Sequence, residues 1–472
     1  MRGCLGSFSG VNLVDITKPI DTGDIPSSGS HFDVIVVGGG PGGSAAAAYN
    51  ALNGSRVLLI EKEIWPRDKT CGDAVGGKSL SHAKELGVLQ LVDNSPHYVV
   101  DSILFGSANG SEVRVMLPKE AYEKQGLQSG YALPRQQFDY LMFHRCQQIV
   151  RENGGSVIQG FSVMEVSVEG EGADARITGI IGRIGGPRSE KEDMVFTSAL
   201  TIGAGGFNCP VSRKITLDVF NEPHRDDDHF CGGYREYWEN VEGLDGGEGP
   251  IEIHFVDEVI PGYFWLFPVG QGVVNVGIGM LVSEEKKGKR KGSWRGLKKT
   301  QQWLIKEHPR FKNRFANSKM IEGSAKGWQL PFGSPRKNPP SYQPRRGAMA
   351  GAMTVGDAAS LVDPFSGEGI GNALLSAKMT SKYFDKEAHS EGFPAENANA
   401  YMEELWGVLG KELSNSTKLQ KMMKWKRLTN WFIKKANKKE EIGTMMSEMI
   451  ASKDAQTELW NPWFLFRTLI LP

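Results

Sequence analysis

The sequence predicts an α/β fold in which a Rossmann-type nucleotide-binding domain is interrupted by an antiparallel-sheet domain and followed by a helical C-terminal region. Two glycine-rich turns that open helices lie far apart in the chain, and the sequence between them becomes β-rich from Ile251 onward. The length of 472 residues also exceeds what one hydrophobic core usually supports. We therefore expect more than one domain.

The first nucleotide-binding unit is the stretch FDVIVVGGGPGGSAAAAYNALNGSRVLLIEKE. Residues 33–37 are predicted to form a buried strand, and an alanine-rich helix follows. Residues 56–60 then form a second apolar strand that ends at Glu61. This order of strand, glycines, helix, strand and acid is the one that dinucleotide binding requires.

The glycines of this unit have the G-x-G-x-x-G spacing, at Gly38, Gly40 and Gly43. The first permits a tight turn, the second lets the backbone approach a pyrophosphate, and the third lets the helix pack on the strand. The helix N-terminus offers free N–H groups to phosphates, and Glu61 is placed to bind ribose hydroxyls. We also expect nucleotide contacts from the neighbouring Pro41, Gly42 and Lys62.

The second signal is the segment GAMAGAMTVGDAASLVDPFSGEGIGNALLSAK, in which a small-residue strand ends at Gly356-Asp357 and a glycine-rich turn opens a helix. It resembles the second FAD motif of glutathione-reductase-like flavoproteins, in which the aspartate binds ribitol and the backbone of the turn faces the flavin. The resemblance implies FAD as the cofactor. It also implies contacts from Gly356, Asp357 and the turn residues Gly367, Glu368, Gly369 and Ile370.

Two further segments bear on the cofactor. The related hydroxylases have an Asp-Gly motif midway along the chain, where this sequence has Ala204-Gly205-Gly206. The missing aspartate weakens the case for hydroxylase-type NADPH docking and leaves Gly205 available to FAD. Arg135 lies in the first turn of a predicted helix in LPRQQFDYLMFHRC, where an arginine of this superfamily reaches the FAD. The alternative is a solvated arginine at a helix start.

The β-rich segment GYFWLFPVGQGVVNVGIGM predicts two strands joined by a turn at residues 270–272. In a strand, Tyr263 and Trp265 share one face with Phe267, and the other face is also apolar. The apolar faces suit a sheet core. The polar tips of Tyr263 and Trp265 make a cavity wall the alternative for their face.

Bulk composition narrows the function classes. Lys+Arg and Asp+Glu both number 55, which gives no reason to expect a nucleic-acid partner. The five cysteines are scattered without a CxxC pair, which argues against a disulfide scaffold, a metal site or an iron–sulfur cluster and suits a reducing, cytoplasmic compartment. Residues 1–30 lack the apolar core of a secretory signal, and no uncharged apolar run reaches bilayer-spanning length.

Three segments together resemble the geranylgeranyl reductase family of flavoproteins: CGDAV after the first unit, YFWLFP in the pattern YxWxFP, and GDAASLVDPFSGEGIG. The resemblance runs from about Phe32 to the helix after Gly371, and it includes HPRFKNRF and GWQLPFG. Members of the family reduce isolated double bonds in polyprenyl chains attached to a diphosphate, a glycerophospholipid, chlorophyll or a quinone. It implies that Cys71, with Gly72 and Asp73, lies by the flavin, while Tyr263 and Trp265 line the prenyl tunnel.

This chemistry suits a dry site with aromatic faces, because an isolated alkene has no carbonyl to accept charge and hydride transfer must be matched by proton delivery. Cys71 could deliver or relay the proton, or fix its loop against the flavin. The physiological electron donor stays open between NADPH and a ferredoxin-like protein.

Two basic tracts indicate contact with a membrane. One is EEKKGKRKGSWRGLKK, and the other is KLQKMMKWKRLTNWFIKKANKK, in which Leu419, Met422, Trp425, Leu428 and Phe432 recur at helical spacing. An apolar stripe beside dense lysines is typical of a helix that lies on an anionic membrane surface. The tail at residues 461–472 is too short to span a bilayer but apolar enough to dock on one. The alternative is a solvated helix with its tail packed on the protein.

The predicted organisation interleaves the domains. We expect a flexible leader at 1–30, FAD-binding segments at 31–95, 131–215 and 336–390, substrate-domain segments at 96–130 and 216–335, and a C-terminal helical region at 391–472. Two other functions use related folds. A flavin-dependent monooxygenase or halogenase would use the same FAD fold for oxygen chemistry, but the usual halogenase motif, WxWxIP, is absent from residues 263–268. A FAD-containing quinone oxidoreductase needs a cysteine-ligated iron–sulfur cluster, for which this sequence has no cysteine group.

Overall fold

The computed structural model describes residues 14–336 and 345–437. Its two β-sheets have eight and ten strands. The strands of the first sheet are β1 (His31–Val37), β2 (Val57–Ile60), β7 (Ser156–Ile158), β8 (Phe161–Glu169), β9 (Arg176–Ile184), β10 (Met194–Gly203), β17 (Ala348–Met349) and β18 (Ala352–Thr354). The strands of the second are β3 (Ala74–Gly76), β4 (Tyr98–Gly106), β5 (Glu112–Met116), β6 (Gly130–Ala132), β11 (Phe230–Glu239), β12 (Glu248–His254), β13 (Tyr263–Pro268), β14 (Val273–Leu281), β15 (Lys319–Met320) and β16 (Lys326–Pro331).

The helices occupy both faces of each sheet and the C-terminal part of the described chain. They are α1 (Pro41–Leu52), α2 (Lys78–Glu85), α3 (Leu89–Asp93), α4 (Lys119–Glu123), α5 (Arg135–Glu152), α6 (Pro210–Arg213), α7 (Val282–Arg290), α8 (Leu297–Lys306), α9 (Ile370–Tyr383), α10 (Ala395–Met422) and α11 (Lys426–Ala436). A π-helical turn, Lys214–Val219, follows α6.

The first sheet has a parallel core in the order β18-β10-β1-β2-β7. Its central strands are continuous apolar runs because both faces are covered, by α1, α5 and α9 on one side and by the β8–β9 hairpin and α6 on the other. The predicted strands at 33–37 and 56–60 are confirmed, with ends shifted by one or two residues. The parallel order brings the glycine-rich loops after β1, β10 and β18 to one edge of the sheet.

The second sheet is largely antiparallel, with β12 and β4 as its parallel pair. The predicted turn at 270–272 is confirmed, and its three residues all have positive φ. The predicted faces of β13 are confirmed as well. Trp265 and Phe267 pack in one apolar cluster with Tyr263, and Phe264 and Leu266 pack in another. The strand is therefore apolar on both sides, because helices and loops cover each face.

Ala74–Gly76 forms strand β3 of the second sheet, although it lies within the predicted first FAD-binding segment. This strand begins directly after the CGD turn, at residues 71–73. The turn therefore connects the two sheets.

The part of the expected flexible leader that the structure describes packs on the first domain. Tyr140 of α5 donates a hydrogen bond to the carbonyl oxygen of Lys18 at 2.9 Å, and Gln159 donates one to that of Ile20 at 2.7 Å. The Ile20 side chain is buried in the core with α5. Residues 1–13 lie outside the described part of the chain.

The basic C-terminal tract is divided between two helices, so the predicted stripe does not lie on one helix. α10 ends at Met422, and α11 begins at Lys426. Leu419 and Phe432 pack against the core of the second sheet, whereas the Trp425 side chain between the helices is 66% exposed. The tail at 461–472 lies outside the described residues.

Candidate active site

A cavity of about 1030 Å³ opens where the carboxyl ends of β1, β2, β10 and β18 face the edge strand β16. Open α/β sheets bind nucleotides at this position. The predicted site residues that line it are Gly38, Gly40, Pro41, Gly42, Glu61, Lys62, Cys71, Arg135, Gly205, Gly356, Asp357, Gly367, Gly369 and Ile370. The remaining predicted site residues are not among its lining: Gly43, Gly72, Asp73, Tyr263, Trp265 and Glu368.

The glycine turn after β1 has no room for side chains at Gly38 and Gly43. Gly38 has φ +114, and a Cβ there would lie 2.5 Å from the carbonyl oxygen of Ala204. A Cβ on Gly43 would lie 1.7 Å from the carbonyl oxygen of Gly38, because α1 starts directly against the strand end. Glycine is thus required at both positions for the helix N-terminus to face the cavity.

Glu61 is buried at the end of β2, as the predicted ribose-binding acid should be. Its Oε2 accepts a hydrogen bond from the N–H of Gly39 at 2.8 Å, and its Oε1 accepts one from Glu63 at 3.0 Å. These bonds fix the carboxylate at the cavity wall. Lys62 also lines the cavity and pairs with Glu63 at 3.5 Å.

Arg135 is 4% exposed and is not the solvated helix-start residue of the alternative interpretation. Its Nε and Nη2 donate to the two carboxylate oxygens of Asp139 at 2.6 and 2.9 Å. Asp139 also accepts from Arg67 Nη1 at 3.1 Å. Burial opposes ionisation of Asp139, but Arg135 and Arg67 hold its pKa below the ordinary value. This carboxylate therefore orients two cations that line the cavity.

Arg67 and Asp139 were not identified from the sequence. The Arg-x-x-x-Asp spacing at the start of α5, which places Asp139 one turn after Arg135, was the signal available for Asp139. Cys71 lines the same cavity as Arg135, and its side chain is close enough to raise the pKa of the guanidinium. The two predicted residues Arg135 and Cys71 are thus brought together.

The second glycine-rich segment approaches the cavity from β18. Asp357 pairs with Lys69 at 2.9 Å, and both residues line the cavity. Glu368 does not belong to the lining, and its Oε1 accepts a hydrogen bond from the N–H of Gly371 at 2.5 Å. Burial raises the pKa of Glu368 to about 7. The glycines of the turn line the cavity, while its acid caps the start of α9.

The CGD turn places only its cysteine on the cavity wall. Asp73 is fully buried with φ +71, and its carboxylate accepts hydrogen bonds from Tyr237 at 2.5 Å and Asn275 at 2.7 Å. Burial raises the pKa of Asp73 to about 6, against the opposing effect of Arg235 and of these hydrogen bonds. Asp73 thus supports the turn from behind.

Tyr263 and Trp265 also lie behind the cavity-lining loops and not on the cavity wall. The Tyr263 hydroxyl donates to the carbonyl oxygen of Ser366, and it would lie 2.9 Å from a Cβ on Gly367. Trp265 Nε1 would lie 3.7 Å from a Cβ on Gly72 and donates to Asn275 at 2.8 Å.

FAD fits the residues of this cavity. The backbone at Gly38 and Gly43 leaves no room for side chains, so phosphates can approach it closely. The carboxylates of Glu61 and Asp357 line the same cavity. The large apolar side chains of Met164, Leu217 and Trp328 line the cavity and are 46%, 38% and 39% exposed. An aromatic, partly apolar ligand would cover them.

Sequence comparisons agree with this geometry. The profile of the geranylgeranyl reductase catalytic domain matches residues 232–318, and the profile of FAD-dependent oxidoreductases matches residues 33–77. Digeranylgeranylglycerophospholipid reductase 2 of Methanococcoides burtonii is 29% identical over 405 residues, which cover 82% of each chain. These matches support the resemblance to the geranylgeranyl reductase family. As the resemblance implies, the protein is a FAD-dependent enzyme that reduces carbon–carbon double bonds of prenyl chains.

Other relatives of this reductase differ in their named substrates. The menaquinone reductase of Mycobacterium tuberculosis is 27% identical over 390 residues, which cover 78% of this chain and 80% of that protein. A geranylgeranyl bacteriochlorophyll reductase-like protein from Thermoplasma acidophilum has the same fold, with a TM-score of 0.69 and 21% identity. That match covers 92% of this chain and 99% of the other. The predicted fold class is confirmed.

The described part of the reductase contains neither a membrane-spanning helix nor a candidate metal site. No helix within 14–336 and 345–437 is long and apolar enough to cross a bilayer. The same residues contain no group of three or more His, Cys, Asp or Glu side chains that could hold a metal ion.

Proposed function

We propose that the reductase saturates isolated double bonds of a geranylgeranyl chain attached to a lipid, a diphosphate or a quinone. The observation that supports this most directly is the position of Cys71, which lines the cavity while its turn leads into the aromatic face of the second sheet. That face continues through Phe255 and Phe365, whose rings stack at 6.3 Å. A thiol on the cavity wall with an apolar, aromatic layer behind its turn suits a hydrocarbon substrate.

We assign Cys71 as the proton donor for the reaction. FAD, when bound and reduced, supplies a hydride to one alkene carbon. The other carbon needs a proton, and the Cys71 S–H bond can break to supply it as the new C–H bond forms. The positive charge of the neighbouring Arg135 guanidinium then stabilises the thiolate, which regains a proton from water.

The test is anaerobic. The FAD-loaded protein is reduced with dithionite, mixed with geranylgeranyl chains on a glycerophospholipid, a quinone or a diphosphate, and analysed by mass spectrometry. We expect gains of two hydrogens per double bond on one head group. Dithionite bypasses the electron donor, and parallel trials with NADPH and a reduced ferredoxin then identify it. A flavin that reduces normally but saturates no prenyl chain would exclude the proposal.

We further propose that the reductase docks peripherally on anionic membranes from the cytoplasmic side. The two basic tracts, distant in sequence, meet at Glu284, which pairs with Lys287 at 3.0 Å and Lys424 at 2.6 Å. The exposed Trp425 follows directly. Cations around an exposed tryptophan next to the substrate domain suit an anionic lipid surface.

Vesicle flotation tests this docking. Full-length protein should float with vesicles that contain anionic lipid, and replacement of Trp425 by alanine should lower the bound fraction. Replacement of Trp328, exposed at the FAD cavity and away from this tract, provides the control. If the native protein and the Trp328 variant both fail to float with anionic vesicles, membrane docking is contradicted.

A further inference from the structure

Asn275 is a polar side chain inside an otherwise apolar strand. It lies in β14 within VVNVGIGM and is 0% exposed. It pairs across the sheet with Tyr237 of β11 and with Phe267 of β13. A buried amide in such a strand needs partners, because an unpaired polar group there costs about 1–3 kcal/mol.

The orientation of the Asn275 amide is fixed by Trp265. The indole N–H can only donate, and it donates to Asn275 Oδ1 at 2.8 Å. The amide nitrogen must therefore face the other way. From there it donates to the carbonyl oxygen of Cys71 and to Asp73 Oδ2, both at 2.7 Å.

The CGD turn is thus held at both ends by one side chain. Asp73 adopts a left-handed conformation that non-glycine residues rarely take, so its loop needs support from its surroundings. Tyr237 donates to the same carboxylate oxygen at 2.5 Å, and the backbone N–H of Arg135 donates to the other at 3.2 Å. These contacts determine where the Cys71 side chain lies on the cavity wall.

We propose that Asn275 is a positioning residue that sets the place of Cys71 for proton delivery. This inference rests on the proposed function of the enzyme. Trp265 orients the amide, the amide holds the Cys71 carbonyl and the Asp73 carboxylate, and the thiol is thereby held beside Arg135. Loss of the amide leaves Cys71 in the cavity wall but frees its backbone, and small displacements of reacting groups can lower a rate by about a hundredfold.

The experiment compares Asn275→Ala and Asn275→Asp with Asn50→Ala in the full-length, FAD-loaded protein. Asn50 is also 0% exposed, and its amide donates to Ala46 and Thr380 at 2.8 and 2.9 Å, so its loss removes comparable bonds in the FAD-binding domain. Two rates are measured. One is alkylation of Cys71 by iodoacetamide, followed by peptide mass spectrometry with buried Cys146 as an internal reference. The other is anaerobic reoxidation of the reduced flavin by a geranylgeranyl lipid.

We expect both Asn275 variants to change the Cys71 alkylation rate at least threefold and to slow reoxidation at least tenfold, while flavin content and its reduction by dithionite stay at the level of Asn50→Ala. Asn275 variants that match Asn50→Ala in either rate would overturn the proposal. If the native protein itself is not reoxidised by any prenyl lipid, the proposed function fails. The alkylation rate alone then decides whether Asn275 positions Cys71.

Discussion

Replacement of Asp73 by asparagine should remove a specific pH dependence of stability. The carboxyl has an ordinary pKa of 3.8 and a folded-state pKa of about 6, because burial outweighs the opposing effects of Arg235, Tyr237, Asn275 and Arg135 that face it. A raised pKa means that the folded protein holds a proton that the unfolded chain releases. The stabilisation is therefore complete below about pH 4 and is lost as the pH rises through 6.

The size of the effect follows from the two pKa values. Between pH 5 and pH 7.5 the native protein should lose about 1.4 kcal/mol of unfolding free energy at this one site. An asparagine side chain cannot titrate and tolerates the left-handed backbone of position 73, so the variant should lack this loss. Titrations elsewhere cancel in the comparison of the two proteins.

The measurement is urea unfolding of both proteins at half-unit pH steps, followed by tryptophan fluorescence. The stability of the variant relative to the native protein should rise by about 1.4 kcal/mol from pH 5 to pH 7.5. A difference that stays constant over this range would refute the reasoning. Asp73 would then be ionised throughout, and its surroundings would stabilise the charge more than burial opposes it.

Three other substitutions test the site and the sheet that supports it. Cys71→Ala should slow turnover at least tenfold with FAD content unchanged, as measured by flavin absorbance and product mass; equal loss of both would make Cys71 structural. Gly277→Ala places a Cβ 1.9 Å from Trp265 Cζ2, so reoxidation of the flavin should slow while the FAD-binding domain keeps its flavin; native kinetics would show that Trp265 has room to move. Burial opposes ionisation of Glu252, but hydrogen bonds from His254 and Arg314 outweigh it and lower its pKa to about 2. Glu252→Gln removes this charge, so the variant should be less stable above pH 4.5 by about 3 kcal/mol. That gap should close as the pH falls towards 2, and a constant gap in acid unfolding would contradict it.

Local patterns were sufficient for the nucleotide-binding unit. The strand, the G-x-G-x-x-G turn and the helix are contiguous, so Gly38, Gly43 and Glu61 lie where spacing places them. The helix start at Arg135 was also visible, because an amphipathic repeat follows it. The role of Asp139 as the partner of Arg135 could not be predicted, because an acid four residues further along a helix forms a solvated ion pair as often as a buried one.

Partners that come from distant strands could not be predicted. Tyr237, Asn275 and Asp73 meet only because β11 and β14 pair in a register that puts Tyr237 opposite Asn275. No single segment contains that information. The break after Met422 was missed for a different reason, since the stripe continues at helical spacing through Trp425 although the helix ends.

The pattern YxWxFP has a physical explanation that differs from a tunnel wall. Tyr263, Trp265 and Phe267 point from the same face of β13, and each packs against the backbone of a loop that lines the cavity. Tyr263 holds the carbonyl of Ser366 beside Gly367, while Trp265 and Phe267 lie under Gly72, where a Cβ would come within 2.9 Å of the Phe267 ring. Because every second side chain of the strand lies on this face, one strand can support both the loop at Gly367 and the loop at Gly72. We expect Trp265 to act on the prenyl chain through the loop that it holds, because its polar tip is already committed to Asn275.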